Sequence, residues 1–259
     1  MDLGIKGKWA LVCGGSQGLG RACADALAAE GVNLVLLART QSTLEQAADE
    51  IRQGYRVEVS ALPCDITTEQ GRRSAVARCA APDILITNAS GPSTGDFRSF
   101  TLEDWERAIN NNMLAPVELI RMTVDGMMER GFGRVINITS WAVKSPIDAY
   151  GLSAAPRLGL TGFSSNVARS VAARNVTINN LLPGVYDTER STSLLSAHAK
   201  HLGTTLEELE RKAIQGIPAN RFGRPREFGA ACAFLCSIHA GYITGQNLLM
   251  DGGRYPGLF

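Results

Sequence analysis

The chain has 259 residues, 45% of them hydrophobic and 20% charged, ordinary values for a folded globular protein of one or two domains. Lys+Arg 26 against Asp+Glu 25 leaves a net charge of +1, so no electrostatic pull toward nucleic acid or an anionic membrane exists. No apolar run is long enough to span a bilayer and no signal-peptide pattern opens the chain. Six scattered cysteines lack metal-ligand spacing, so a reducing cytoplasm and no metal site are expected.

The first predicted element is a strand at Lys8–Cys13. It runs into Gly14-Gly15-Ser16-Gln17-Gly18-Leu19-Gly20, with a helix expected over Gly18–Glu30. Glycines between a strand and a helix let a ligand approach the backbone, and the free N–H groups and dipole of the helix favour a phosphate there. Further strands are expected at Asn33–Ala38, Arg56–Pro63, Asp83–Asn88, Arg134–Thr139, Thr177–Leu182 and Asn247–Met250. Helices are expected at Ser42–Gln53, Thr68–Cys79, Leu102–Arg130, Ala154–Ala173, Thr205–Gln215 and Pro225–Ser237. Nearly all-apolar strands alternating with helices predict a parallel sheet covered on both faces. The fold class is therefore α/β: a single Rossmann-type doubly wound domain over residues 1–259, with about seven strands. Between Gly184 and Phe222 the alternation lapses, and Thr204 with Glu207 fits a capping box there. A long insertion on the carboxyl side of such a sheet is expected to form a substrate lid over about 184–222.

The ordered motifs resemble those of the short-chain dehydrogenase/reductase family over essentially the whole chain. Gly14-x-x-x-Gly18-x-Gly20 resembles its cofactor turn, and Cys64-Asp65-Ile66 its adenine-contacting segment. Asn88-Ala89-Ser90-Gly91 resembles its Asn-Asn-Ala-Gly strand end, with Thr87 in the first Asn position. Trp105 to Asn112 resembles the helix with the proton-relay Asn, and Gly133 to Ser140 the strand ending in the catalytic Ser. Pro183-Gly184 with Thr188 resembles the segment that closes over the nicotinamide, while Ile243-Thr244-Gly245-Gln246 and Asp251-Gly252-Gly253 match the C-terminal signature. The resemblance implies cofactor contacts at Gly14, Ser16, Gln17, Gly18, Leu19, Gly20, Asp65, Ile66, Asn88, Ala89, Ser90, Pro183, Gly184, Val185 and Thr188, and at Arg157, which can hold ribose hydroxyls. It also implies a small-molecule substrate and a homotetramer or homodimer, with the helices at Leu102–Arg130 and Ala154–Ala173 forming an interface.

The choice of cofactor follows from charge. A carboxylate about 20 residues past the glycines would bind a ribose 2′-hydroxyl and repel a 2′-phosphate. Here the second strand ends Leu37-Ala38-Arg39; the acid is missing, and a guanidinium suits a phosphate through paired charge-assisted bonds. NADP(H) is expected over NAD(H).

The catalytic helix departs from the family pattern, in which a Tyr-x-x-x-Lys pair places both side chains on one helix face. There the Lys cation lowers the phenol pKa for proton exchange with the substrate carbonyl. One register uses Tyr150 and puts Ala154 at the Lys position; the other puts Ser153 and Arg157 at the two positions and runs without gaps into Pro183-Gly184. The second is preferred. Pro156 belongs in a first helical turn, which would start the helix near Ser153 and leave that Ser as a possible N-cap. The expected catalytic set is Ser140, Tyr150, Ser153, Arg157 and Asn112. Since a Ser hydroxyl is a far weaker acid than a phenol, the proton donor is open among Tyr150, Lys144, Tyr186, a water held by Ser140 and Asn112, and the substrate itself. Phe97, Trp141, Tyr150 and Tyr186 suggest a partly aromatic pocket. The expected activity is NADPH-dependent reduction of a small carbonyl or imine. A non-catalytic nucleotide-binding homologue and a non-redox lyase or isomerase are the alternatives.

Overall fold

In the computed structural model, which describes residues 1–258, seven strands form one parallel sheet. They are β1 (Trp9–Cys13), β2 (Asn33–Ala38), β3 (Val59–Pro63), β4 (Ile84–Thr87), β5 (Gly133–Ile138), β6 (Val176–Pro183) and β7 (Asn247–Met250), in the order β3-β2-β1-β4-β5-β6-β7. Trp9 lies opposite Asn33, Ala10 opposite Ile84, and Ile84 opposite Arg134. The central strands β4 and β5 are buried along their whole length; β4 is accordingly almost entirely apolar, while β5 buries two polar side chains, Arg134 and Asn137, that find hydrogen-bond partners inside. Chain order reverses between β1 and β4, and the crevice at the carboxyl ends of these two strands is where a doubly wound sheet takes its ligand.

Helices α1 (Gly18–Ala29), α2 (Gln41–Gly54), α3 (Glu69–Arg78), α4 (Leu102–Ile109), α5 (Ala115–Glu129), α6 (Gly151–Val171), α7 (Glu189–Leu202), α8 (Leu206–Gln215) and α9 (Pro225–Cys236) complete the domain. One apolar cluster, with Leu27, Leu44, Ile86 and Phe228, joins α1, α2 and α9 to the sheet; the other, with Leu11, Ala75, Leu119 and Ala168, joins α3, α5 and α6. A buried amide network also ties α6 to the strands. Asn137 in β5 accepts from the Thr87 hydroxyl at 2.6 Å and donates to Ser164 Oγ at 2.9 Å and Asn180 Oδ1 at 3.0 Å, while Asn180 donates to Asn247 at 2.8 Å.

Four local expectations are corrected. The helix expected over Leu102–Arg130 is interrupted by a π-helical turn at Asn110–Leu114, where the Ala115 N–H reaches back to the Asn110 carbonyl. Pro116 has no N–H for the Asn112 carbonyl and its ring crowds it, so the helix widens there. Helix α6 starts at Gly151 because the amides of Ser153 and Ala154 both find the Tyr150 carbonyl at 2.9 Å. Pro156 therefore sits in the second turn, and Ser153 is not the N-cap. Strand β3 begins at Val59 rather than Arg56, since the Asn33 side chain takes the Glu58 N–H at 2.9 Å before the ladder continues. The region 184–222 holds a helix, α7, that the sequence reading missed, and α8 is capped one residue later than expected. The Thr205 hydroxyl accepts the Glu208 N–H, while the Thr204 hydroxyl donates to the Glu208 carboxylate at 2.7 Å.

Candidate active site

The glycine turn after β1 is shaped for a close-lying ligand. Gly14 and Gly18 adopt φ of +63° and +58°, the left-handed region that costs other residues about 1–2 kcal/mol. A Cβ at Gly20 would lie 2.2 Å from the Gly14 carbonyl oxygen and 2.8 Å from Asn88 Nδ2, so backbone meets backbone here with no space for a side chain. Helix α1 opens behind the turn without a side-chain cap or a first-turn acid, whereas Thr68, Thr101, Thr188 and Thr205 cap α3, α4, α7 and α8. Its N-cap residue Gln17 instead donates to Glu189 at 3.1 Å, across to the start of α7. Uncapped amides at a positive dipole end, reached over bare backbone, fit the pyrophosphate of a dinucleotide. Leu19 packs on the core beneath, Ser16 is half-buried, and the Gly15 N–H bonds the Leu37 carbonyl at 3.2 Å, tying the turn to the end of β2.

Arg39 follows β2 and is exposed. The Cys64 N–H bonds the Ala38 carbonyl at 2.9 Å, which sets Asp65 and Ile66 beside it. Asp65 accepts the Thr67 N–H at 2.9 Å, and the Ile66 carbonyl takes Arg72 at 2.9 Å. Past β4, Asn88 packs its amide against Gly14 and Gly20, Ala89 is half-buried and Ser90 exposed. Past β6, the Gly184 N–H bonds the Met250 carbonyl at 2.9 Å, Val185 accepts the Gly223 N–H at 3.0 Å, and Thr188 caps α7. Pro183 ends β6 opposite Met250. The Thr188 methyl would lie 3.9 Å from a Cβ on Gly18, so the N-cap of α7 and the glycine turn face each other.

Ser153 and Arg157 form a buried pair on α6, exposed by only 8% and 7%. Arg157 Nη1 donates to the Ser153 hydroxyl oxygen. The i,i+4 spacing stacks the two residues on one helix face. A small cavity of about 10 Å³, bounded by Asn88, Asn112 and Arg157 among others, has room for about one water-sized group. Asn112 is in the π-helical turn with its amide donating to the Ala108 carbonyl at 3.2 Å. Ser140 lies two residues past β5, where its hydroxyl accepts the Ala142 N–H at 3.1 Å. Tyr150 is half-buried immediately before α6. Burial, and after it the like charge of Arg190, lowers the Arg157 pKa from 12.5 to about 10.

Other expectations change. Tyr186 is in the core, edge-on to Phe228 at 5.4 Å and against Gly223, and its phenol is raised to about 12, chiefly by burial; its ring packs the fold rather than walling an open pocket. Phe97 is 64% exposed under the Arg98 guanidinium. Trp141 lies beneath Arg254 at 4.5 Å. Lys144 is half-buried in the loop after Ser140, and His198 and His201 are exposed on α7. Arg190, absent from the sequence-based set, donates Nη2 to the Gly91 carbonyl at 3.0 Å. Its signal was a cation in the first turn of a helix, where a dipole favours acids. Among the described residues no three His, Cys, Asp or Glu side chains are grouped to hold a metal ion, and no helix is long and apolar enough to cross a membrane. All six cysteines are free.

Residues 14–254 match the family described as Enoyl-(Acyl carrier protein) reductase. The 3-oxoacyl-[acyl-carrier-protein] reductase FabG of Escherichia coli is 31% identical over 257 residues, covering 98% of this chain and 99% of that protein. Acetoacetyl-CoA reductase of Allochromatium vinosum is 31% identical over 255 residues, covering 95% and 98%. The L-sorbose reductase of Gluconobacter frateurii, solved with NADPH and L-sorbose, superposes with a TM-score of 0.94 at 30% identity over 100% of both chains. The chain belongs to the short-chain dehydrogenase/reductase family of oxidoreductases.

Proposed function

We propose that this protein binds NADP(H) and catalyses hydride transfer to a small carbonyl or imine compound, with Ser153 and Arg157 standing where the family has Tyr and Lys. The observation that carries this reading is the buried hydrogen bond between Arg157 and Ser153, beside Asn88, Asn112 and the glycine turn. Gly14, Gly18, Gly20 and the first amides of α1 would hold the pyrophosphate, Arg39 the 2′-phosphate, Asp65 and Ile66 the adenine. Asn88, Ala89, Ser90, Pro183, Gly184, Val185 and Thr188 would line the nicotinamide end, with Ser16, Gln17 and Leu19 supporting the turn. A bound reduced nicotinamide supplies the hydride. Relatives solved with NADPH support the choice of cofactor, together with the missing acid at the end of β2.

The pair explains how a weak acid can serve. Arg157 donates to the Ser153 oxygen, which occupies a lone pair and leaves the hydroxyl hydrogen free to point at a substrate oxygen or nitrogen. A cation held in a low-dielectric site strengthens that donor and stabilises negative charge developing on the substrate. Tyr150, at the start of the same helix, is the proposed proton source that recharges Ser153, with Ser140 orienting the substrate and the Asn112 turn shaping the small cavity for a relay water.

The test is consumption of NADPH and NADH across a carbonyl and imine panel by the wild type, Ser153→Ala and Tyr150→Phe. Loss of about 100-fold or more in kcat for Ser153→Ala is expected for a group contributing acid catalysis. Unchanged rates in both variants would remove both side chains from the chemistry. Tight NADPH binding with no turnover anywhere would support the non-catalytic reading, and product formation without net cofactor consumption the lyase or isomerase reading.

A further inference from the structure

The chain buries two arginines, and they are treated differently. Arg134, 1% exposed, uses four of its five N–H donors: Nε donates to the Ser237 carbonyl at 3.1 Å, Nη1 to the Gly133 and Asn175 carbonyls at 2.8 and 2.9 Å, and Nη2 to Asn175 Oδ1 at 3.3 Å. Its plane also covers Phe132 at 4.3 Å. Arg157, nearly as buried, gives only Nη1 to Ser153 and borders a cavity. A buried guanidinium with donors to spare costs free energy unless a ligand completes it.

Arg190 brings a second guanidinium to the same place. A side-chain carbon on Gly91 would meet Arg190 Nη2 at 2.7 Å and Arg157 Nη2 at 3.6 Å, so the two cations converge on one backbone position. Among the described residues neither forms an ion pair with a carboxylate. Glu189, the neighbour of Arg190, is turned away to Gln17. Two like charges held together without a counter-ion mark a place where an anion belongs. The pyrophosphate has its own seat at the turn after β1, whereas the arginine pair stands at Gly91 beside Ser153.

We propose that the substrate carries a carboxylate, and that Arg190 from the lid and the open edge of Arg157 clamp it at Gly91 while its reacting carbon faces Ser153. This rests on the reading of Ser153 and Arg157 as the reacting end of the site. Nη2 spends one of its two hydrogens on Gly91, which leaves Arg190 one intact edge of its planar fork, the second Nη2 hydrogen with its neighbouring nitrogen, for a bidentate contact. Because Arg190 belongs to the first turn of α7, engaging the anion also fixes the root of the lid. Substrate charge is thereby coupled to closure.

The experiment is isothermal titration of the NADP⁺-bound protein with benzoate and malonate, each against its neutral amide, for the wild type, Arg190→Gln and Arg190→Lys. NADPH affinity is measured in parallel by nucleotide fluorescence. The proposal expects the carboxylates to bind at least about tenfold more tightly than the amides, and Arg190→Gln to lose that margin, as for a charge-assisted hydrogen bond. NADPH affinity should stay within about twofold, since the pyrophosphate is held elsewhere, and Arg190→Lys should keep part of the margin because its charge remains. Equal binding of carboxylate and amide by the wild type would overturn the proposal. So would an Arg190→Gln variant that loses NADPH affinity while holding the carboxylates unchanged, because the anion between the arginines would then be a cofactor phosphate. If the wild type binds no NADPH, the functional reading fails by itself, and the same carboxylate titrations on the free protein still decide the clamp.

Discussion

Arg157→Met removes a cation that folding has to dehydrate, and the structure sets the size of the effect. Burial lowers the Arg157 pKa from 12.5 to about 10. At about 1.4 kcal/mol for each pH unit, keeping the charge inside the folded chain costs about 3 kcal/mol. The folded value lies below the unfolded one, so the cost is present in full at any pH below about 10, and stability rises only as pH climbs above that. Methionine matches the length of the side chain and needs no water. Against this gain stands the lost bond to Ser153, worth about 1 kcal/mol, which leaves a net stabilisation of about 1–2 kcal/mol at neutral pH. Arg134→Met provides the contrast, because it strands four carbonyl contacts and should destabilise by about 2–4 kcal/mol. Urea unfolding monitored by tryptophan fluorescence measures both. If Arg157→Met destabilises the free protein by more than about 1 kcal/mol, Arg157 is an ordinary packing residue and the argument for a ligand-completed cation fails.

Three further outcomes follow from the same geometry. Gly20→Ala forces a carbon to 2.2 Å from the Gly14 carbonyl and should cost about 3 kcal/mol or more with loss of NADPH binding. Gly18→Ala, whose new carbon would meet only the Thr188 methyl at 3.9 Å, should cost only about 1–2 kcal/mol for its left-handed backbone; Gly162→Ala, in α6 with nothing within 4 Å, should stabilise by about 0.5–1 kcal/mol, and equal melting temperatures across the three would refute this reading of the turn. Arg39→Asp should weaken NADPH by about 10–100-fold while sparing NADH; fluorescence titration showing parallel losses would place Arg39 away from the 2′-phosphate. Leu102, Ile109, Leu114 and Leu158 are exposed along α4 to α6, and we expect this face to be covered in a homodimer or homotetramer; light scattering that shows only monomer would reject that.

The strand pattern was legible because most strands of a buried parallel sheet are short runs rich in apolar residues between helical segments, and β2 and β7 fall at their predicted residues. The glycine turn was legible because only glycine tolerates its backbone. Boundaries failed where side chains compete with the main chain. Pro116 opens a π-helical turn, and Asn33 delays β3. Helix α7 escaped notice because its signs, Thr188 at one end and Gly203 at φ +65° at the other, are local and the segment between them is polar. Within the site, the spacing of Ser153 and Arg157 predicted a shared face, but not that Arg157 would hold Ser153. Tyr186 shows the opposite error: an aromatic near a site motif reads as a pocket wall, and only packing against Phe228 and Gly223 shows that it supports the fold. The convergence on Gly91 of Arg190 from α7 and Arg157 from α6 is a tertiary fact that no spacing in the sequence announces.

The most direct test of hydride chemistry at this site is transfer of deuterium from NADPH labelled at nicotinamide C4, followed by mass spectrometry of the products from carboxylate-bearing carbonyl and imine substrates. The account predicts carbon-bound deuterium in a product formed by the wild type, reduced about 100-fold in rate by Ser153→Ala. NADPH bound by the wild type with no deuterium delivered to any substrate would contradict it.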